Sequence, residues 1–267
     1  MAAQISVEVH DEMLDINEQH AYDESIQSIQ FYEYTPQTQA NNNTTGHPIK
    51  IDINANDCYL LPSRNYISIK GQLKKADDSA FATTDEISLI DNAMMYLFTE
   101  IKYDLGSTSI EKISCPGQIT SMLGYLSQPD DFSASSGLKY CWSQDTTNNA
   151  NSFEFEASTG QPGANYRPGR NATFNQGFAA RKAHLSSSTP IGSFSFIIPL
   201  SHFFGFAEYR KLVYGEKHIL TLTRGSDTHA IHRIAATGNG KIDISNISWH
   251  IPQIDMSPEY LALQFAY

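Results

Sequence analysis

Apolar and polar residues alternate along most of this chain, and the alternation predicts a succession of β-strands. Short runs of this kind include "IQSIQFYEY", "IKIDI", "NYISIKGQLKK" and "KHILTLTR". Successive side chains of a strand point to opposite faces of its sheet, so this period is typical of sheets with one buried face. About eight or nine such runs, separated by turn signals, predict an all-β protein. We expect an antiparallel eight-stranded jelly-roll sandwich with long loops and one or two short helices.

Three local features depart from simple alternation. Gly71 interrupts a predicted strand and indicates a bulge or a point of close backbone approach. Asp91 or Asn92 is placed to cap a short helical turn that ends near Leu97. A second helix is expected after Pro116, because proline is favoured at a helix start and apolar residues then recur at helical spacing. These apolar positions are Ile119, Met122, Leu123 and Leu126.

Composition divides the chain into three predicted parts. Residues 1–24 are acidic and weakly patterned, and we assign them to an N-terminal arm. Residues 25–256 carry the strands and form the predicted jelly-roll domain. Within it, residues 129–177 are polar, and we interpret them as an extended surface loop, which is unusually long for a compact domain. Residues 257–267 are a C-terminal tail or a linker.

One connection between two predicted strands is rich in aromatic residues. The segment "IIPLSHFFGFAEYRK" places Phe203, Phe204, Phe206 and Tyr209 between an apolar strand and the strand "KHILTLTR". Rings in such a connection either close one end of a sandwich core or present an apolar patch to a neighbouring subunit. The sequence alone leaves both interpretations open.

The formal net charge of −11 argues against a nucleic-acid-binding protein. Binding to nucleic acid requires a basic face that displaces counterions from the phosphates. The best local basic group is more simply interpreted as part of a solvated loop, so we expect no direct nucleic-acid binding. Its members are Arg167, Arg170, Arg181 and Lys182.

Cysteine use and hydropathy indicate a chain that is made inside the cell. Cys58, Cys115 and Cys141 are odd in number and widely spaced, which fits neither a disulfide framework nor a zinc site. The N-terminal segment lacks the basic and apolar regions of a signal peptide, and no apolar run approaches membrane-spanning length. We therefore expect no secretion by a signal peptide and no membrane span.

Motifs that carry catalysis are not recognisable in this sequence. His229 and His232 lie beside Asp227, but positions i and i+3 of a strand point to opposite faces and do not converge on a metal. The sequence contains no nucleophile elbow, and "GSTS" at 106–109 precedes a strand rather than the helix that a phosphate-binding loop needs. We expect no enzymatic activity, no cofactor and no metal.

The order of several segments resembles the double jelly-roll major capsid proteins of Polinton or Maverick elements, adintovirus-like viruses and related large DNA viruses. The segments are "FSFIIPLSHFFGFAEYRKLVYGEKHILTLTR", "GKIDISNISWHIPQIDMSPEYL" and, upstream, "ISLIDNAMMYLFTEIKYDLGSTSIEKIS". The resemblance runs from about Glu24 to Leu261. It covers only the first of the two rolls in that family, so the chain is a fragment, one half of a split capsid protein, or a single roll captured in a cellular genome.

The resemblance implies a viral or virus-derived capsid subunit, located in the virion, that self-assembles into capsomers of an icosahedral shell. The implied partners are other copies, in a trimeric or hexameric capsomer, and also a second jelly-roll chain and a penton protein. The candidate interface residues are Phe203, Phe204, Phe206, Tyr209, Ile254, Leu261, Leu263 and Phe265. The alternative is a single jelly-roll module that binds a ligand or a carbohydrate.

Overall fold

The computed structural model describes residues 25–38, 42–55, 58–82, 85, 87–145, 175–233 and 240–258. Within these ranges the chain forms twelve strands and three α-helices. The strands are β1 (Ile26–Tyr34), β2 (Pro48–Asn54), β3 (Tyr59–Leu60), β4 (Tyr66–Lys75), β5 (Ile87–Leu89), β6 (Phe98–Leu105), β7 (Thr108–Ser114), β8 (Ser193–Pro199), β9 (Val213–Tyr214), β10 (Lys217–Arg224), β11 (Ile231–Arg233) and β12 (Gly240–Met256). The helices are α1 (Ala93–Tyr96), α2 (Pro116–Ser127) and α3 (Gln176–Ser187).

Eight of these strands form the two sheets of a jelly roll. One sheet has the order β2-β10-β6-β7 and is antiparallel throughout. In the other sheet β12 pairs with β4, β4 pairs with β8, and β1 pairs with β12. The short strands β3 and β9 extend this second sheet, and β5 pairs with β11 apart from both. The predicted all-β antiparallel jelly roll is confirmed.

Alternation along the strands places the core between the two sheets. In β10 every second residue is buried, from His218 to Arg224, and in β2 Ile49, Ile51 and Ile53 are buried in the same way. The opposite sheet contributes the buried residues of β4, β8 and β12. Removing these aliphatic and aromatic side chains from water is the main force that holds the sandwich together.

The predicted close approach at Gly71 is confirmed. A Cβ at this position would lie 2.6 Å from the carbonyl oxygen of Asp243 and 2.7 Å from the ring of Phe194. The pairing of β4 with β12 also shifts register between Ile244 and Asn246, directly opposite Gly71. Any larger side chain would therefore push β4 away from its neighbour or displace the Phe194 ring.

Two parts of the long connection between β7 and β8 differ from the predicted surface loop. Trp142 is fully buried and Cys141 is nearly so, although both lie inside the polar stretch at 129–177. Helix α3, which was not predicted, begins where that stretch ends. Asn175 caps it by accepting a hydrogen bond from the backbone N–H of Phe178 at 3.1 Å. Residues 146–174 lie outside the described residues, so the loop prediction is not tested there.

A buried arginine near the end of the sandwich joins three segments of chain. The Arg224 guanidinium donates hydrogen bonds to the carbonyl oxygens of Leu97, at 3.0 Å, and Gly225, at 3.2 Å, and it pairs with the Asp227 carboxylate. That carboxylate in turn accepts the backbone N–H of Ile242 at 2.9 Å. Burial lowers the pKa of Arg224, and Asp227 acts in the opposite direction.

The chain divides into two compact units. The larger consists of residues 29–254 and contains the sandwich. The smaller consists of residues 1–28 and 255–267, of which the structure describes 25–28 and 255–258. In this smaller unit the Ser28 hydroxyl donates to the Asp255 carboxylate at 2.6 Å, and the backbone N–H of Ser257 donates to the carbonyl oxygen of Ser25 at 2.9 Å. The predicted arm at 1–24 lies outside the described residues, and the domain boundaries stay a prediction.

Candidate assembly surface

The aromatic connection follows β8 and runs through two short 3₁₀ helices, Leu200–His202 and Gly205–Glu208. Phe203 and Phe204 are buried, with ring centroids 4.7 Å apart and ring planes at 60°. Phe206 is half-buried, and its ring stacks on that of Tyr209 at 5.8 Å. The inner two rings of the connection therefore belong to the chain's own core, and Tyr209 remains 44% exposed.

Tyr103 of β6 is the buried ring on which this connection packs. Its ring lies 5.9 Å from Phe204, 5.1 Å from Phe206 and 5.9 Å from Trp249 of β12. Its hydroxyl lies 2.5 Å from Nδ1 of His218, which also is fully buried. Because β6, β10 and β12 all supply rings to this cluster, the aromatic connection closes one end of the space between the two sheets.

Acid should destabilise the fold through His218. Burial lowers the pKa of this imidazole to about 4, below its ordinary value of 6.5. Between pH about 4 and about 6.5 the His218 imidazole is protonated in the unfolded chain but not in the folded chain. Its contribution to the free energy of unfolding is therefore fully present above pH about 6.5 and is lost as the pH falls toward about 4. From pH about 7 to about 5 this one group should cost on the order of 2 kcal/mol.

The measurement is the free energy of unfolding by denaturant at the two pH values, for the wild type and for His218→Gln. The variant should lose less stability than the wild type on acidification, whatever its stability at neutral pH. Equal losses in the two proteins would show that the pKa of His218 does not differ between the folded and the unfolded chain.

Glu111 of β7 fixes the outer half of the connection. Its carboxylate accepts the backbone N–H of Gly205 at 3.1 Å and that of Phe206 at 2.8 Å. Backbone N–H groups at the start of a 3₁₀ helix have no acceptor within the helix. A carboxylate is among the preferred acceptors at such a helix start. The position of Phe206 and Tyr209 at the surface is therefore set by β7 as well as by the core.

Helix α2 directs its small residues inward and its large apolar residues outward. The buried positions of the helix include Gly117, Thr120, Ser121 and Gly124. A Cβ on Gly124 would overlap the ring of Trp142, so the helix backbone lies directly on the buried tryptophan. The exposed large apolar residues of the helix are Ile119, Met122, Leu123, Tyr125 and Leu126. The predicted helix is confirmed, but its apolar side faces away from the core of the chain.

Polar contacts hold α2 in this orientation. The Asn92 side chain donates to Thr120 Oγ1 at 2.7 Å and to Ser121 Oγ at 3.1 Å. The Tyr125 hydroxyl donates to the Asp91 carboxylate at 3.1 Å, although the ring itself is exposed. Asn92 lies at the predicted capping position of α1 but makes no side-chain cap there; its backbone is left-handed, at φ 56°, and its amide nitrogen holds α2 instead.

A groove of about 410 Å³ lies beside the exposed face of α2. Its lining includes Leu123 of the helix, Phe132 and Tyr140 from the following connection, and His202 and Glu208 from the aromatic connection. Burial lowers the pKa of His202, and its Nε2 is buried with no hydrogen-bond partner among the described residues. The groove therefore joins the two surface features, the α2 face and the outer end of the aromatic connection.

The structure separates the predicted interface residues into three groups. Phe203, Phe204 and Ile254 are buried inside the chain and offer no surface to a neighbouring subunit. Among the predicted interface residues that the structure describes, Phe206 and Tyr209 reach the surface, and their interface role stays a prediction. Leu261, Leu263 and Phe265 lie outside the described residues. The exposed face of α2 was not among the predicted interface residues.

Basic and metal-binding candidates do not form a site in the described part of the chain. Arg181 is buried and donates to the carbonyl oxygens of Leu89 and Ser143 and to Asp145, so it is not part of a solvated basic loop. Among the described residues, no group of three His, Cys, Asp or Glu side chains is close enough to hold a metal ion. No helix described here is long and apolar enough to cross a membrane.

Comparison with protein families finds one match, which covers about a third of the chain. A sequence model of the double jelly roll-like domain matches residues 173–262, which contain the aromatic connection, β10 and β12. This match confirms the predicted resemblance to the double jelly-roll family. A search of curated proteins finds no significant match.

One solved structure shows the same fold, and two others are similar over part of their length. A chain in the cryo-EM structure of the Sputnik virophage superposes with a TM-score of 0.52 at 9% identity, over 94% of this chain and 53% of that one. The Faustovirus major capsid protein gives 0.48 at 10% identity, over 91% and 57%, and the mavirus major capsid protein gives 0.45 at 15%, over 97% and 52%. This chain therefore spans about half the length of each of these proteins.

Proposed function

We propose that this chain is a structural subunit of a viral or virus-derived capsid and that it self-assembles into capsomers of an icosahedral shell. The observation that carries the proposal is the fold, a complete eight-stranded jelly roll that superposes over 94% of its length on a chain of the Sputnik virophage. The match to the double jelly roll-like domain over 173–262 supports the same assignment from the sequence.

The proposed partners are further jelly rolls. Three subunits with two rolls each place six rolls around one axis, which is the arrangement that the resemblance to double jelly-roll capsid proteins implies. A chain with one roll can also form a ring of six rolls. It can do so as a hexamer, or as three pairs in which each copy binds a separate chain that carries the second roll. A penton protein would close the shell at its five-fold positions. In this proposal the protein is located in the virion and has no catalytic role.

The second candidate, a jelly-roll module that binds a ligand or a carbohydrate, is not favoured. A binding module of this kind works as a discrete, soluble unit, and large exposed apolar patches on such units are uncommon. The α2 face and the rings of Phe206 and Tyr209 instead leave apolar surface that an assembly would cover.

Size-exclusion chromatography with light scattering tests the capsid proposal against the binding module. We expect a mass of several chains that grows with protein concentration, and ring-shaped or closed bodies in negative-stain micrographs of the same fractions. A monomer at every concentration, together with specific hits on a glycan array, would contradict the capsid proposal and support the module.

A further inference from the structure

The exposed face of α2 is the largest uncharged apolar feature on a helix in the described part of the chain. Leu126 is 86% exposed and Met122 is 66% exposed, with Ile119, Leu123 and Tyr125 beside them. Together these side chains expose on the order of 500 Å² of largely apolar surface, about the size of the largest patch on a typical monomer. Such a patch is costly to leave in water and indicates a contact surface.

The α2 face carries no charge, although the chain as a whole is acidic. No charged residue occurs from Pro116 to Pro129, whereas the whole chain has a net charge of −11. Two copies of an acidic chain repel each other wherever their charged faces meet, and like charges placed opposite each other oppose association. Contact through an uncharged helix avoids this penalty, so a second copy of the same chain is the partner that this face fits.

Shape supports the same partner. The helix forms a ridge whose outermost side chains are Met122 and Leu126, and the 410 Å³ groove lies next to it, sharing Leu123. Glu208 is the one acidic residue that lines this groove. A two-fold contact requires one patch to be complementary to itself, with residue i of one copy on residue j of the other and the reverse. A ridge beside a groove meets that requirement, because each ridge enters the groove of the other copy.

We infer that two copies of this chain associate about a two-fold axis through α2, with the ridge at Met122 and Leu126 of each copy seated in the groove beside Leu123 of the other. This inference rests on the proposed function and names a surface through which subunits of neighbouring capsomers meet, because rolls around one axis meet head to tail rather than about a two-fold. It differs from the predicted interface, which was placed on the aromatic connection and the C-terminal tail.

The test compares Leu126→Asp with Phe31→Asp by sedimentation velocity over a range of concentrations. Phe31 lies on β1 and is 52% exposed, so the second variant places the same charge on another exposed apolar site. A charge at an interface centre should weaken self-association at least about 30-fold. Leu126→Asp should show this loss and Phe31→Asp should not, while circular dichroism shows that both variants remain folded.

Three outcomes decide the inference. Loss of association in Leu126→Asp alone supports it. If the wild type and Leu126→Asp associate equally well, the α2 contact is wrong, but the proposed capsid function is not affected. A third outcome is a wild type that stays monomeric and binds an apolar dye, with weaker dye fluorescence in Leu126→Asp. This result would overturn self-association through this face and would indicate that a different protein covers it.

Discussion

Replacing Arg224 by Met should lower the free energy of unfolding by roughly 3–5 kcal/mol, the cost of breaking a buried ion pair. Met fills much of the volume of the side chain but donates no hydrogen bond. The Asp227 carboxylate then loses its cationic partner, and the carbonyl oxygen of Leu97 keeps only the backbone N–H of Gly225 of its two donors. Because Asp227 also holds the backbone of β12 at Ile242, we expect the loss to spread from β10 to β12.

Denaturant unfolding followed by circular dichroism measures this loss, and Lys112→Met is the matched control. Lys112 pairs with Glu100 at 2.7 Å but is 53% exposed, so its removal should cost less than about 1 kcal/mol. Arg224→Lys should also be destabilised, because a single ammonium cannot reproduce the several donors of the guanidinium. A cost in Arg224→Met no larger than that in Lys112→Met would show that the buried network does not hold the sandwich.

Phe204→Ala should cost roughly 3–5 kcal/mol of stability, because it leaves a cavity where the aromatic connection enters the core. The Phe204 ring is 1% exposed and packs against Phe203 and Tyr103. The control is Tyr209→Ala in the same connection, which should cost less than about 1 kcal/mol because the ring is largely at the surface. Thermal or denaturant unfolding of the two variants measures the difference.

The comparison of these two variants separates the two interpretations of the connection. If Phe204→Ala keeps wild-type stability and weakens only association, the ring serves a neighbouring subunit rather than its own core. If both variants are strongly destabilised, Tyr209 is also part of the core. The structure leads us to expect a stability effect for Phe204 and at most an effect on association for Tyr209.

Much of the fold follows from the sequence because the strands obey simple alternation. The runs that predicted β2, β4 and β10 bury the alternate residues that their patterns indicated. The segment "GSTS", expected from the sequence to precede a strand, joins β6 to β7 in a hairpin and has Gly106 in the left-handed region at its turn. In these elements the local pattern and the tertiary environment agree, which is why the sequence alone was sufficient.

The surface that matters most was harder to predict because α2 reverses the usual rule. Apolar residues at helical spacing normally mark the buried side of a helix. Here Gly117 and Gly124 mark it instead, since only glycine lets the helix approach the rings of Tyr96 and Trp142. The one sequence feature that could have indicated this contact is Trp142, a tryptophan inside a polar stretch. The pattern alone does not reveal that Trp142 lies under α2, because the two are brought together only by tertiary folding.

Helix α3 was missed for a different reason. Its sequence is weakly amphipathic, and its buried residues include Arg181, a type normally assigned to the surface. The guanidinium is buried because backbone carbonyl oxygens and Asp145 satisfy its donors, an arrangement that no local pattern specifies. Asn175, which caps the helix, was the sequence feature that could have indicated its start.

Cryo-electron microscopy of the assembled protein shows whether the chain is a capsid subunit. We expect jelly rolls joined into a symmetric body, with Leu126 and Met122 of α2 covered by another copy and Phe203 and Phe204 inside the core of each roll. An assembly in which α2 faces solvent would contradict the inferred contact. A protein that forms no assembly under any condition that keeps it folded would contradict the proposed capsid function itself.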